Sequence, residues 1–234
     1  MRLELQTIIA NKIFDLKAFI FDLDGVIVDT AKYHFKSWKI IGKQLGFELS
    51  KTQNELLKGV SREESLEKIL KWGGISIDRL EKKKYLKKKN ELYKRFISKL
   101  SQVDILPGVC KLIDFAMIKE IPIALGSASK NAHQILEKLG IKKKFKVIID
   151  GNSTEKSKPH PEVFLKGAEM LGVNPKNIIV FEDSIAGINA ANKAKMISIA
   201  ICDNRKIENA KFNFNSLEDI SHEFLETLNS NENK

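Results

Sequence analysis

Two aspartates one residue apart, Asp22 and Asp24, close a short apolar run and are followed by Gly25. In an extended chain, residues i and i+2 point to the same side, so both carboxylates are presented together just past a buried strand. Like charges held that close are unfavourable unless a cation sits between them or one is protonated. Mg²⁺, a hard cation that prefers carboxylate and water oxygens, meets that need. Further on, Ser127 and the pair Glu182-Asp183 each follow another apolar run, and Lys158 precedes a helical pattern. This set suits phosphoryl transfer, which needs an in-line nucleophile, neutralised equatorial oxygens and a group that handles a hydroxyl proton. Asp22 then reads as a nucleophile forming an aspartyl phosphate, and Asp24 as general acid and base. Glu182 and Asp183 complete the Mg²⁺ coordination or stand just behind it. Ser127, the Ala128 N–H and Lys158 hold the phosphoryl oxygens. Each piece also has a plainer reading. Asp-Gly is a common hairpin turn, Ser127-Ala128-Ser129 a helix cap, Lys158 a surface lysine and Glu182-Asp183 a helix start.

The elements around these residues decide between the readings. A strand over 18–21 leads into Asp22. From Ala31 the apolar residues Phe35, Trp38, Ile41 and Leu45 recur at helical spacing up to Gly46. A second helix opens at Ser61 with a capping-box pattern, and a lysine-rich third runs over about 78–99 with Leu86, Tyr93, Phe96 and Ile97 as packing residues. From Pro107 helices and strands alternate. Helices are expected over 109–119, 131–139, 161–171, 186–194 and 217–228, and strands over 121–126, 146–149, 177–181 and 196–201. That alternation predicts an α/β fold with a Rossmann-like parallel sheet covered on both faces, interrupted after its first strand by an inserted helical domain. Residues 1–17 are ambiguous between helix and strand, and 229–234 read as a frayed polar tail. In such sheets ligands bind beyond the carboxyl ends of the strands. Asp22 and Asp24, Ser127 to Asn131, Lys158, and Glu182 with Asp183 all fall on that rim.

The 234 residues are 43% hydrophobic and 30% charged, enough for a large domain carrying a smaller one. The two cysteines, Cys110 and Cys202, lie far apart with no metal-ligand spacing, which argues against a disulfide scaffold and a structural zinc site. With no apolar run long enough for a membrane span and no signal-peptide pattern, a cytoplasmic protein is expected. The net charge of +10 includes lysine triplets at 82–84, 87–89 and 142–144. They lie among polar residues with little aromatic interleaving, so they read as solvated faces rather than a nucleic-acid surface.

The motif Phe21-Asp22-Leu23-Asp24-Gly25-Val26, with Ser127, Lys158-Pro159 and Glu182-Asp183-Ser184, resembles the haloacid-dehalogenase superfamily of phosphotransferases. Asp24 argues against the dehalogenases themselves, which lack the second aspartate. Within the superfamily, the stretches 29–35, 57–63, 88–90 and 128–131 resemble the β-phosphoglucomutases. The resemblance implies a core of residues 1–29 plus 104–234 and a helical cap over 30–103. It implies interconversion of β-glucose 1-phosphate and glucose 6-phosphate through an aspartyl phosphate, with Mg²⁺ and β-glucose 1,6-bisphosphate as the activating intermediate. A small-molecule sugar phosphate is the expected partner, with no nucleic acid and no membrane, and a monomer is expected. Arg62, Ser129, Lys130 and Asn131 match a second phosphate site, a role that suits the guanidinium fork. Lys58 and Gly59 match a substrate loop of the cap, and His34 and Lys89 match residues coupling cap closure to Asp24. Thr30 matches a hinge-side position. Trp38 reads as a core residue that could also face a sugar. Gly126 and His160 stand where the resemblance leads one to expect alanine, and the leader to about Leu16 precedes it. Two other readings compete: a sugar-phosphate phosphatase on the same fold, and a non-catalytic basic binding protein, which leaves the acidic set unexplained.

Overall fold

Strand β1 (Ala18–Phe21) is central in a parallel sheet of six strands. The computed structural model describes residues 15–228, so the readings for 1–14 and 229–234 lie outside the described residues. The other strands are β2 (Ile123–Gly126), β3 (Val147–Ile149), β4 (Ile178–Glu182), β5 (Ile197–Ile201) and β6 (Phe212–Phe214), in the order β3-β2-β1-β4-β5-β6. Phe21 lies opposite Leu125 on one side and Phe181 on the other. This register brings Asp22, Ser127 and Glu182-Asp183 out along one carboxyl edge, where such sheets bind ligands.

Alternate side chains of β1 enter different cores. Phe19 and Phe21 join Leu125 and Phe181 on one face, while Ala18 and Ile20 join Val180 and Phe164 on the other. Burial on both faces is why these strands are unbroken apolar runs. Phe21 stacks on Phe181 at 4.8 Å between ring centroids. Burying a ring of this kind contributes about 1.5–3 kcal/mol, which anchors the strand that ends in Asp22.

Between β1 and the next strand the chain forms four helices that carry their own apolar cluster: α1 (Ala31–Gln44), α2 (Lys51–Glu55), α3 (Arg62–Gly73) and α4 (Arg79–Ile97). Trp38, Ile41, Leu49, Leu57, Leu66 and Ile69 are buried together there. Asp78 starts α4 by accepting from the N–H groups of Leu80 and Glu81, at 2.7 and 2.8 Å. Helices α5 (Val109–Ile118), α6 (Ala132–Lys138), α7 (Glu162–Leu171), α8 (Ile185–Lys193) and α9 (His222–Thr227) belong to the alternating part of the chain.

Three elements differ from the sequence expectation. Helix α2 is additional, with a complete Ser50–Gln53 capping box that is legible once sought. Strand β6 is also additional. Three residues are too short to display a period, and Phe212 and Phe214 are fixed by packing on Phe224, at 5.1 and 5.2 Å. The helix expected over 217–228 is a 3₁₀ turn, Leu217–Asp219, followed by α9. Ser216 and Ser221 each cap a start of their own, accepting from Glu218 and Phe224 N–H, which divides the run in two.

Candidate active site

The β1 edge is built around a buried lysine. Lys158, 1% exposed, donates to Asp22 Oδ1 at 2.6 Å, Glu182 Oε1 at 2.7 Å and the Gly126 carbonyl at 3.0 Å. Burial would lower its pKa, but Asp22 and Glu182 outweigh that and raise it. Lys158 is therefore a fixed charge. Because it occupies Oδ1, Oδ2 is the Asp22 oxygen left for chemistry. Burial pushes the Asp22 carboxyl well above its usual range despite Lys158, with Glu182, Asp24 and Asp183 adding to the rise. Burial, then Glu182, pushes Asp183 up to about 7.

These shifts mark a surplus of negative charge, and hard oxygen donors carrying that surplus fit a divalent cation such as Mg²⁺. Asp22, Asp24 and Asp183 are the residues that would hold it. Among the described residues no three acidic, His or Cys side chains are drawn to metal-ligating spacing. Lysines supply part of the neutralisation instead, Lys158 at Asp22 and Lys58 at 3.4 Å from Asp183 Oδ2. Glu182 would complete the metal-holding set or stand just behind it, and its own oxygens are already engaged. Its Oε2 accepts from the N–H and O–H of Ser184 at 2.6 and 2.9 Å, and its Oε1 is taken by Lys158.

Asp24 is held through one oxygen. Thr30 Oγ1 and Tyr93 O–H, the latter at 3.3 Å, both donate to Oδ1, and His34 Nε2 lies 3.6 Å from the same atom. Burial would raise the Asp24 pKa, but His34, the Thr30 bond and Lys89 together hold it below the ordinary value. Thr30 is fully buried, and its hydrogen bond orients Asp24. Lys89 Nζ stands 2.7 Å from His34 Nδ1. If Lys89 donates, Nδ1 is the acceptor and the Nε2–H faces Asp24. Burial and then Lys89 lower the His34 pKa. Lys89 itself, 1% exposed, is pushed down to about 7 by burial and then by Arg62.

Facing the edge from the helical segment, Trp38, Lys58, Gly59, Arg62 and Lys89 line one cavity with Asp22, Asp24, His34 and the loop 128–131. The walls enclose about 70 Å³. Arg62 makes no hydrogen bond or ion pair within the described residues, and burial lowers its pKa. Trp38 is 2% exposed, with Lys89 Nζ 5.1 Å from its ring centroid. Gly59 has φ +73, and a Cβ there would stand 2.5 Å from Ser184 Oγ, so only glycine permits this approach. Ser127 is buried, accepting from Ser129 N–H at 3.1 Å, and lines a neighbouring cavity with Lys158. Lys130 is paired with Glu63 at 2.8 Å, and Asn131 donates to Asn90 at 3.1 Å, so both bridge the two walls.

All the proposed site residues therefore gather at one place, with Thr30 and Glu182 behind its surface. Sequence reasoning treated Tyr93 as packing alone. Its spacing of four from Lys89 on one helix places both on the same face, a signal that was available. Asn90 and Glu63 carried no such signal, because each is defined by a partner on the opposite wall.

A family model for haloacid dehalogenase-like hydrolases matches residues 19–201. The chain is 41% identical over 212 residues to a beta-phosphoglucomutase of Bacillus subtilis, covering 90% of this chain and 94% of that protein. It is 33% identical over 181 residues to a phosphorylated carbohydrates phosphatase of Thermotoga maritima, covering 76% and 82%. The crystal structure of a beta-phosphoglucomutase from Clostridium difficile matches with a TM-score of 0.88 at 41% identity, covering 92% of this chain and 97% of that one. With the paired aspartates, the buried lysine and the parallel sheet at one edge, these matches place the chain in the haloacid dehalogenase-like family.

Proposed function

We propose that the protein is a β-phosphoglucomutase, interconverting β-D-glucose 1-phosphate and D-glucose 6-phosphate through an aspartyl phosphate on Asp22 and β-glucose 1,6-bisphosphate. The observation that carries this reading is that one cavity has two ends of opposite electrostatic need. One end is the carboxylate edge with Lys158. The other is the half-buried Arg62, unpaired among the described residues, with buried Lys89, where a second phosphate would supply the missing negative charge. Similarity to the Bacillus subtilis and Clostridium difficile enzymes, each at 41% identity, supports the same reading. The family implies use of Mg²⁺, which when bound would neutralise charge on the transferring phosphoryl group.

In the forward half-reaction, a sugar hydroxyl attacks the phosphorus of phospho-Asp22. The new sugar O–P bond forms as the Asp22 O–P bond breaks, and the hydroxyl proton passes to Asp24 Oδ2, the oxygen not taken by Thr30 and Tyr93. In the return half-reaction, the other phosphate of the reoriented bisphosphate passes to Asp22, and Asp24 gives its proton to the departing sugar oxygen. Lys158 and the Ser127–Ala128 segment hold the phosphoryl oxygens. Arg62, with Ser129, Lys130 and Asn131, holds the phosphate that is not reacting. Trp38, Lys58 and Gly59 bound the sugar between them.

In this reading, residues 30–103 act as a cap on a core of 1–29 and 104–234, working as a monomer on a cytoplasmic sugar phosphate. No helix among the described residues is long and apolar enough to cross a membrane. The test is one reaction containing β-glucose 1-phosphate, Mg²⁺ and catalytic β-glucose 1,6-bisphosphate, with glucose 6-phosphate and free phosphate followed together. Glucose 6-phosphate forming much faster than phosphate is the expected result. Phosphate release dominating would assign the protein to the sugar-phosphate phosphatases, which share the core residues.

A further inference from the structure

We infer that Arg205 and Glu55 form a clasp that fastens the loop 55–62 over the cavity. This makes them positioning residues for substrate capture in the reaction proposed above, on which the inference rests. Arg205 lies in the loop after β5, and its Nη2 donates to the Asp183 carbonyl at 3.1 Å and lies 3.6 Å from Cys202 Sγ. The guanidinium is thus seated on the sheet edge. Its Nη1 reaches across to Glu55 Oε2 at 3.1 Å, at the end of α2 in the helical segment. The same Glu55 oxygen is 3.2 Å from Lys58 Nζ, and Lys58 is in turn 3.4 Å from Asp183 Oδ2. One carboxylate oxygen of the helical segment is therefore shared by a cation of the sheet edge and a cation of the loop.

The loop that follows has little freedom while this contact holds. Gly59 is pressed against Ser184, Ser61 caps α3 by accepting from Glu64 N–H at 3.2 Å, and Arg62 then faces the cavity. Arg205 reaches its two acceptors with two separate nitrogens of a planar fork, a span that the single ammonium nitrogen of a lysine at 205 would not reproduce. Apolar packing does not take over the task. The ion pair borders an open groove of about 560 Å³ lined by Gly25, Glu55, Lys58, Asp183 and Arg205. Nor does the pair matter much to the fold, since its side chains are 37% and 42% exposed and exposed ion pairs add little stability. Its consequence is conformational. A cavity of about 70 Å³ is far below the several hundred Å³ of ordinary ligand sites, so a sugar phosphate enters only when the loop lifts and is retained when it refastens.

The test uses the full chain with Arg205→Ala, Arg205→Lys, Glu55→Gln and the double variant Glu55→Gln/Arg205→Ala. Amide hydrogen exchange over 55–62, measured without substrate, should quicken about fivefold in Arg205→Ala and in Glu55→Gln. KM for β-glucose 1-phosphate should rise about fivefold while kcat changes less than twofold and the melting temperature stays put. Arg205→Lys should fall between wild type and Arg205→Ala. The double variant should be no worse than Arg205→Ala, because the two side chains act as one unit. Unchanged exchange in Arg205→Ala, or single-variant effects that multiply in the double, would overturn the clasp. Wild-type protein that fails to turn over the sugar phosphate would overturn the proposed function instead, and the exchange arm would still decide the clasp.

Discussion

The two walls of the cavity are electrostatic opposites. On the sheet edge, burial together with neighbouring carboxylates raises Asp22 well above its usual range and Asp183 to about 7. On the helical segment, burial and a neighbouring guanidinium push Lys89 down to about 7, and burial lowers Arg62. One wall holds too much negative charge for its surroundings and the other too much positive. They neutralise each other only in part, through Lys58 beside Asp183 and the attraction between Lys89 and Asp24, with His34 and Tyr93 packed next to Lys89. In the proposed reaction each wall would meet a ligand of the opposite sign, a divalent cation on one and a phosphate dianion on the other. Both walls are less stable without ligand than a neutral packing would be. Their strained protonation states identify a site that stability alone would not preserve.

The largest effect should come from removing the nucleophile. Asp22→Asn should lower turnover by at least about 10⁴-fold. Its melting temperature at pH 7 should be unchanged or higher, because ionised Asp22 is disfavoured by burial. A variant that kept turnover, or that lost stability, would break the account of the negative wall. Next, Arg62→Ala should raise KM for the sugar phosphate about 100-fold, corresponding to about 2–3 kcal/mol of charge-assisted hydrogen bonding. Hydrolysis of acetyl phosphate, which carries no second phosphate, should change far less. Equal losses on both substrates would remove Arg62 from a distal phosphate site.

Lys89→Met sharpens the comparison through pH. The folded-state pKa of Lys89 lies near 7, below its unfolded value, so the cost of burying its charge is fully present below pH 7 and is relieved as pH rises above it. The stability gained by Lys89→Met should therefore shrink by up to about 1.4 kcal/mol per pH unit between about pH 7 and 10, measured by denaturant unfolding without ligand. A gain independent of pH would contradict a charged Lys89 buried at neutral pH. The smallest effect is on cation binding. Protons compete for Asp183, so Mg²⁺ affinity measured by calorimetry should fall by up to tenfold per unit below about pH 7 and level off above it. A flat profile would remove Asp183 from the metal-holding set.

Much of the sheet edge was legible in the chain because its signals are local. An unbroken apolar run ending in Asp22-Leu23-Asp24-Gly25 carries its strand, its exit and its charge within eight residues. The serine after β2 and the Glu182-Asp183 pair after β4 repeat the pattern, and the rule for ligand sites in parallel sheets links them. Lys158 was legible as a loop lysine, and its burial against Asp22 and Glu182 required the tertiary register. The helical segment was legible as helices, through period and capping residues, while α2, β6 and the split before α9 were set by caps and packing too short to show a period.

The alternation that makes the sheet, the acids at its edge and the helical segment inserted after β1 are all written in the chain. These follow from hydrophobic spacing and backbone preference, which act over a few residues. Which atoms meet was set by the tertiary structure. It turned Glu182 toward Lys158 and Ser184, set Thr30 and Tyr93 on a single oxygen of Asp24, and left Arg62 without a counter-ion among the described residues. It also joined Lys130 to Glu63 and Arg205 to Glu55, residues separated by 67 and 150 positions. No local signal specifies such pairs. Their energy arises from charges brought together by packing elsewhere in the molecule, and burial then sets how strongly those charges act.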